Sequence, residues 1–180
     1  MALYAVSLDE FKQYISNQQD TSDDTDLTVA LNGAHRAAEN YCQRSFAPAA
    51  SAAAQLFKGN DARVLSIFDC TTVTAVTVNG TAVTDFVAEP TNGKSWTQQA
   101  RPYTQLLRNA AYWPSLLGQA NISVTATWGW SAVPDEVKSA VRILAKDQLL
   151  ERQNSGTFLV VGEAKALLDP LRRAEAWGIA

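Results

Sequence analysis

The sequence predicts an α+β fold in which a helical core carries an inserted antiparallel β region. Three observations lead to this prediction. Apolar residues recur at helical spacing near both ends of the chain, β-branched residues and turn signals dominate its middle, and the two patterns meet at a corner around Trp128. The chain has 180 residues, 47% hydrophobic and 18% charged, so a globular fold with its own core is expected.

Two helices are predicted before residue 45. Ser7 and Glu10 have the spacing of a capping box, which indicates a first short helix ending near Asn17. A second, longer helix starts at Thr25 or Asp24 and ends near Arg44. Its apolar stripe consists of Leu27, Leu31, Ala34, Ala38, Tyr41 and Cys42.

The middle of the chain is predicted to be a small antiparallel β subdomain. Residues 47–54 are expected to be a spacer, because Pro48 stands near their start and no apolar stripe follows. Asn79-Gly80 is a strong signal for a type I′ hairpin. Short strands are predicted at residues 56–57, 63–67, 72–78, 81–83, 86–87, 106–107 and 122–128. We therefore expect a β insertion at 55–130 between helical segments 1–54 and 131–155.

The corner that follows the last strand is the most specific local feature. Pro134 suits the first turn of a helix, and Asp135 and Glu136 place negative charge at the favoured end of the helix dipole. The helix it starts ends between residues 152 and 155, so a helical core of the first two helices and the 134–153 helix is expected. We predict that the corner fixes how the β subdomain leaves this core. Its residues are Trp128, Gly129, Trp130 and Pro134.

Charge and composition exclude several classes of protein. The net charge is −3, which argues against a nucleic-acid footprint over the whole surface. Residues 1–26 hold six acidic side chains and one lysine, so the remainder of the chain is weakly basic. Cys42 and Cys70 are too few for a disulfide framework, which predicts synthesis in a reducing cytoplasm. No apolar run approaches the roughly 20 residues of a membrane span.

A thiol- or metal-dependent enzyme is one alternative function. His35, Glu39 and Cys42 lie on one face of the second helix, but His35 is the only histidine and the face also carries core alanines and leucines. The Gly93-Lys94-Ser95 run lacks the first glycine of a phosphate-binding loop, and the glycine expected after Ser131 in a nucleophile elbow is missing. We therefore predict no catalytic residue, no metal site and no cofactor.

A single-strand nucleic-acid-binding module is the other alternative. Basic and aromatic residues in region 96–113 could stack and neutralise a single strand. These residues are Trp96, Arg101, Tyr103, Arg108, Tyr112 and Trp113. Because they are spread over turn-rich sequence, packing of the β subdomain is the favoured interpretation.

Four segments, in this order, resemble the head–tail connector (adaptor) proteins of long-tailed bacteriophages. They are residues 6–12 with the acidic loop at 20–24, residues 37–46, residues 127–140, and residues 168–173. The most specific of them contains Trp128-Gly129-Trp130-Ser131-Ala132-Val133-Pro134-Asp135. The resemblance implies a helical core with a β insertion, here larger than in the smallest members of the family.

The resemblance also implies a non-enzymatic structural protein of the virion neck, made in the host cytoplasm. Its copies would form a ring, usually of twelve, that binds the portal protein and a head-completion (stopper) or tail-side connector protein. Genomic DNA would pass through the ring without sequence-specific binding, and no membrane is involved. From the residues alone, the apolar side chains of the C-terminal segment 156–180 are expected to be covered either by this chain's own core or by a partner. The resemblance implies that the segment binds the portal and is ordered there, and that it is disordered or differently placed in the free subunit. Its candidate contacts are Phe158, Leu159, Val160, Val161, Arg172, Arg173 and Trp177.

Overall fold

The computed structural model describes residues 5–16, 21–48, 51–90, 101–151 and 162–173. The described helices are α1 (Leu8–Ser16), α2 (Asp24–Cys42), α3 (Asp135–Glu151) and α4 (Gly162–Leu168), the last followed by a 3₁₀ turn (Asp169–Leu171). The described strands are β1 (Ala52–Lys58), β2 (Val64–Val78), β3 (Thr81–Ala82), β4 (Phe86–Glu89), β5 (Tyr103–Arg108) and β6 (Ala120–Trp128). These helices and this antiparallel sheet confirm the α+β class.

The chain divides into two compact units. One unit consists of Met1–Phe46 and Val133–Ala180, and the other of Ala47–Ala132. The second unit begins earlier than the predicted β insertion, because Ala52, Ala53 and Ala54 pair with β6. Alanine favours strands weakly, so sequence alone indicated a spacer, and the pairing with a neighbouring strand overrides that preference.

The prediction of a small β subdomain is wrong in size. Within the part of the chain that the structure describes, the sheet has six strands in the order β1-β6-β2-β5-β4, with β3 paired to β2. The largest difference is β2, which is one strand of 15 residues instead of two short ones. Its register shifts between Ser66 and Cys70 and again before Ala75, and such bulges interrupt the alternation that marks a strand in sequence.

The bulged strand β2 pairs with β5 and β6 along its length and with β3 at its end. Its first half pairs with β5, from Val64 opposite Leu107, and its second half pairs with β6, ending with Val78 opposite Ile122. The predicted hairpin after β2 is confirmed, since Asn79 and Gly80 have φ of 49° and 81°. The core of this unit consists of Leu65, Ile67, Cys70, Val76, Leu106, Trp113, Ile122, Val124 and Ala126.

In the helical unit, α1 begins with the predicted capping box. The backbone N–H of Glu10 donates to Ser7 Oγ at 3.2 Å, and the backbone N–H of Ser7 donates to Glu10 Oε2 at 2.8 Å. The hydrogen bond from the Ser7 N–H to the carboxylate, together with a second one from Ser7 Oγ at 3.0 Å, holds the pKa of Glu10 below its ordinary value. The entry of α1 is therefore specified by local sequence.

The longer helices pack through their apolar faces. The helix α2 contacts α3, and α3 contacts α4. The buried face of α2 carries the predicted stripe except for Tyr41, which is half-buried. Its buried residues are Leu27, Ala30, Leu31, Ala34, His35, Ala38 and Cys42. Facing residues of α3 are Val137, Ala140, Val141, Leu144 and Ala145, all buried. No helix within the described residues is both long and apolar enough to cross a membrane.

Candidate interaction surfaces

His35, Glu39 and Cys42 do not form a reactive centre. The Cys42 thiol is buried and donates to the carbonyl oxygen of Leu168 at 3.7 Å, and burial raises its pKa to about 11. A thiol with that pKa is protonated at neutral pH and is a poor nucleophile. Glu39 instead accepts hydrogen bonds from Ser45 Oγ at 2.7 Å and from the backbone N–H of Phe46 at 3.3 Å. Its carboxylate closes the C-terminal end of α2.

His35 has a structural environment. It is 4% exposed, and burial lowers the pKa of its imidazole below 6.5, while a hydrogen bond with the backbone of Val6 opposes this shift. Val6 is itself fully buried, so the imidazole helps to hold the segment before α1. A search of the described ranges finds no cluster of three metal-binding side chains. These observations do not favour a thiol or metal enzyme.

The structure gives most of the described residues proposed for nucleic-acid binding a packing role. The Trp113 ring is fully buried, with Nε1 donating to the carbonyl oxygen of Leu106 at 3.0 Å, so it cannot stack on a base. The guanidinium of Arg108 donates to both carboxylate oxygens of Asp85, at 2.6 Å and 3.2 Å. Tyr103 packs against the core of the β unit. Tyr112 and Arg101 are exposed, and Trp96 lies outside the described residues.

The C-terminal region is docked on its own chain over residues 162–173. Ala164, Leu168 and Leu171 are buried, and α4 contacts both α2 and α3. These three apolar side chains are therefore covered within the helical unit. Phe158, Leu159, Val160, Val161 and Trp177 lie outside the described residues, so the prediction that they bind a partner stays a prediction.

A polar cluster at the end of α2 holds the turn after α4. The Tyr41 hydroxyl and Lys165 Nζ both donate to Asp169, the latter at 2.6 Å. These donors, Lys165 first, hold the pKa of the Asp169 carboxyl below its ordinary value. The guanidinium of Arg172 lies 5.6 Å from the centre of the Tyr41 ring, and the backbone N–H of Arg173 donates to the carbonyl oxygen of Cys42 at 2.9 Å. Arg172 is exposed and Arg173 is half-buried, so both reach the surface from a fixed backbone.

The corner after β6 is built around Asp69, a residue that the sequence did not single out. The Trp130 indole is 3% exposed and its Nε1 donates to Asp69 Oδ2 at 3.1 Å. The backbone N–H of Gly129 donates to the carbonyl oxygen of Asp69 at 2.7 Å, and Gly129 has a φ of 112°, which favours glycine. Trp128 Nε1 donates to the carbonyl oxygen of Ala53 at 2.8 Å. The only sequence signal for this role of Asp69 is that it is the single charged residue of β2.

Pro134 ends the corner on the other side. It is buried, and its carbonyl oxygen accepts the backbone N–H groups of Val137 and Lys138 at 3.1 Å and 3.2 Å. Pro134 therefore immediately precedes α3, and its carbonyl oxygen accepts hydrogen bonds from the first turn of this helix. That the corner fixes the angle between the two units stays a prediction.

Two exposed apolar features were not found from the sequence. One is the two-residue turn at Leu117 and Gly118, which we call the Leu117 hairpin (residues 116–119), where Leu117 is 99% exposed. The other is an aromatic patch of Phe57, Phe68 and Trp128, whose ring centres lie 5.6–6.4 Å apart and in which Phe68 is 54% exposed. Phe57 and Trp128 are partly buried against the core of the β unit, and Phe68 extends this cluster to the surface. Exposed apolar surface of this kind is a candidate for contact with another molecule.

The acidic start of α2 provides a charged surface. Asp23 and Asp26 are exposed, while Asp24 forms an ion pair with Lys12. Glu10 lies 3.9 Å from the guanidinium of Arg142. Internal pairing therefore offsets part of the acidic excess, and the exposed aspartates leave a negative surface at this end of the helix.

Comparison with known proteins gives matches among solved structures. No protein-family model and no curated protein sequence matches the chain. A chain from the neck of an empty GTA particle, computed with C6 symmetry, has a TM-score of 0.62 and 20% identity, covering 99% of this chain and 95% of that chain. A chain from the neck of a native GTA particle, computed with C12 symmetry, has a TM-score of 0.60 and 20% identity over the same shares.

A third match comes from the virion of a native gene transfer agent (GTA) particle. Its TM-score is 0.59 at 22% identity, covering 97% of this chain and 92% of that chain. Identity at this level shows a shared fold, which here extends over nearly the whole length of both chains. The sequence resemblance to head–tail connector proteins is thus confirmed at the level of the fold, because matched chains come from the necks of phage-like particles.

Proposed function

We propose that this chain is a structural protein of the neck of a phage or phage-like particle. It acts there as an adaptor whose copies form a ring between the portal and the next head-completion or tail-side connector protein. The single observation that carries this proposal is the nearly full-length match to chains from particle necks computed with C6 and C12 symmetry. A ring of twelve copies agrees with both symmetries, since a twelvefold ring also contains the sixfold axis.

The geometry of the chain supports a structural role over an enzymatic one. The two thiols are buried, and burial raises the pKa of Cys42 to about 11 and that of Cys70 to about 12. Of the residues that the sequence suggested for catalysis, Glu39 closes the C-terminal end of α2 and His35 holds the segment before α1. In the proposed role the helices α1, α2 and α3 are the core of each copy, and the six-stranded β unit is the insertion.

A DNA channel agrees with the charge of the chain. Each phosphate that a protein neutralises adds affinity, so a conduit for DNA should not present a continuous basic surface. The net charge of −3 and the pairing of Arg108 with Asp85 agree with passage of DNA in place of sequence-specific binding. The exposed Asp23 and Asp26 offer a negative surface that a weakly basic surface of the next copy can match.

The portal contact is assigned to the C-terminal segment 156–180. Arg172 and Arg173 project from a backbone that α2 holds in place, so they can bind an acidic portal surface with little ordering cost. The segments on either side of residues 162–173 supply Phe158, Leu159, Val160, Val161 and Trp177 as apolar contacts in the same proposal.

Removal of the protein from particle assembly tests the adaptor role. In a host that produces the particles without this chain, we expect DNA-filled heads that lack attached tails, visible by electron microscopy. Complementation with the full chain should restore tailed particles, and mass spectrometry of isolated necks should then detect it. Normal tailed particles without the chain would overturn the proposal.

A double variant tests the portal contact separately. Arg172→Ala with Arg173→Ala should weaken binding to purified portal rings at least about tenfold, as expected for the loss of two charged contacts at an interface. Arg36→Ala with Lys146→Ala removes the same charge from exposed helix positions and serves as the matched control. Equal binding of both double variants would remove the two arginines from the contact. Hydrogen exchange over 156–180 should also slow when the portal is added.

A further inference from the structure

The Leu117 hairpin places a leucine in a backbone conformation that leucine rarely adopts. Leu117 and Gly118 have φ of 43° and 77°, as in a type I′ turn, and the backbone N–H of Gln119 donates to the carbonyl oxygen of Leu116 at 2.7 Å. Glycine tolerates this conformation, but leucine rarely adopts it, and asparagine is the residue that such turns prefer at the first position. The turn therefore holds a leucine where the local backbone favours another residue.

The strained leucine is also presented to solvent. Leu117 is 99% exposed, Tyr112 is 63% exposed and Leu116 is 42% exposed. Neither packing inside the chain nor turn formation accounts for a large apolar side chain at this tip. Backbone strain and exposed apolar surface at one residue are features of a site that serves an external contact.

The base of the hairpin is held rigidly on the β unit. Asp61 Oδ1 accepts the backbone N–H of Ser115 at 2.8 Å, and Asn121 Nδ2 donates to the carbonyl oxygen of Pro114 at 2.9 Å. At Gly59 a Cβ atom would lie 1.9 Å from the same carbonyl oxygen, so only glycine allows this close approach. A tip with so fixed a base loses little conformational entropy on binding.

The aromatic patch is a complementary surface on the same unit. Phe68 is 54% exposed, and its ring centre lies 5.6 Å from that of Phe57 and 6.4 Å from that of Trp128. The hairpin immediately precedes the first residue of β6, whereas Trp128 is the last residue of that strand. Phe57 pairs with Ile122 near the start of β6, so the patch extends along this strand. Each copy therefore carries an apolar projection and a separate apolar receiving surface on the same unit.

We propose that the Leu117 hairpin of one copy of this chain packs on the aromatic patch of the next copy. A closed ring needs heterologous contacts, in which two different surfaces of each copy meet, and these two surfaces satisfy that requirement. This inference rests on the proposed ring, which the C6 and C12 symmetries of the matched necks support. One apolar hairpin buries less area than a stable interface between two copies needs. We therefore expect the hairpin to contribute most of the binding energy of a larger interface.

Substitution of Leu117 gives opposite effects on folding and on assembly. Leu117→Asn creates the preferred Asn-Gly turn, so the thermal midpoint of the subunit should stay equal or rise. The same variant should raise the concentration needed for ring formation about tenfold or more, because a buried apolar contact is lost. Gln119→Asp, at an exposed residue of the same hairpin, is the control and should change assembly by less than about threefold. Native mass spectrometry and electron microscopy of the full chain, with and without portal rings, provide the readout.

Cysteine cross-linking tests which surfaces meet. The native thiols of Cys42 and Cys70 are buried, so they should not react with a short bis-maleimide. A chain with Leu117→Cys and Phe68→Cys should yield a ladder of covalent multimers up to the ring size. Either single substitution should leave the chain monomeric on a denaturing gel. A double variant without a ladder, in preparations that contain rings, would overturn the pairing.

The outcomes separate this inference from the proposed function. Wild-type chain that neither forms rings nor occurs in necks would overturn the adaptor role itself. Rings that persist in Leu117→Asn and Leu117→Asp variants would overturn only the contact between copies. Intact variant rings that no longer join the particle would show that the hairpin binds another neck protein, which also overturns the proposal.

Discussion

At the residue scale, the structure depends on polar groups buried beside aromatic ones. Asp69 is 7% exposed and accepts the indole N–H of Trp130, while its backbone carbonyl oxygen accepts the N–H of Gly129. A buried donor that loses its acceptor costs more than the net value of an average hydrogen bond. The corner is therefore sensitive to one carboxylate on a distant strand.

Asp69→Ala should lower the free energy of unfolding by about 1–3 kcal/mol, because the buried Trp130 N–H loses its acceptor. Urea unfolding followed by tryptophan fluorescence measures this change. Ser66→Ala, at an exposed position of the same strand, is the control and should change stability by no more than about 0.5 kcal/mol. Equal effects of the two substitutions would show that the corner does not depend on Asp69.

His35 should make stability depend on pH. Its folded pKa is below the ordinary value of 6.5, so between these two values the unfolded chain binds more protons than the folded chain. The contribution of neutral His35 to the free energy of unfolding is therefore fully present above pH 6.5, and it is lost as the pH falls below that value toward the folded pKa. His35→Gln should reduce this slope between neutral pH and about pH 5.5, where His35 is the only histidine that can titrate. An unchanged slope in chemical denaturation would contradict the assignment.

At the scale of elements, short segments are stable only where a larger element receives them. The helix α4 has seven residues, too few to form alone in water, and it is held by burial of Ala164 and Leu168 and by the Asp169 cluster. Segment 156–180 was predicted to become ordered on the portal, but its central part, residues 162–173, is docked on the chain's own helices. Only tertiary contacts give that stretch a fixed position.

Leu168→Ala should release α4 from the helical unit and lower the free energy of unfolding by about 2–5 kcal/mol, or less if α4 detaches by itself. Hydrogen exchange in residues 162–173 should then become much faster than in α2. Leu167→Ala makes the same chemical change at a half-buried neighbour and should have the smaller effect on both measurements. Retained protection in the Leu168 variant would mean that the polar cluster alone holds the segment.

At the scale of the whole molecule, charge and apolar surface have different roles in the proposed ring. Exposed charges guide encounter and orientation and are weakened by salt, whereas an apolar contact sets how long the complex lasts. The negative surface at Asp23 and Asp26 belongs to the first role, and the Leu117 hairpin belongs to the second.

Assembly of rings should therefore slow when salt is raised from low to physiological concentration, because screening shortens the reach of the aspartates to about 8 Å. Asp23→Asn with Asp26→Asn should slow assembly at low salt and remove most of this salt dependence. Light scattering after dilution from dissociating conditions measures the rates. A double variant with the salt dependence of the wild type would exclude these aspartates from the contact.

Sequence determined the features that depend on neighbours along the chain. The capping box at Ser7 and Glu10, the Asn79-Gly80 turn and the start of α3 at Pro134 follow from local backbone chemistry, and all three are present. Periodic apolar stripes identified the long helices, because burial of one face repeats at the helical period. The ordered motifs led to the connector resemblance, whose fold the neck structures share.

Tertiary structure decided what depends on partners far apart in sequence. Ala52–Ala54 become a strand because β6 supplies their hydrogen bonds, and the bulged β2 is continuous because β5 pairs with its first half and β6 with its second. Asp69 becomes the centre of the corner through a contact with Trp130 that has no local signal. The exposure of Leu117 and Phe68 is likewise decided by which side chains form the core of the β unit, because burial depends on the folded arrangement and not on the residue type alone.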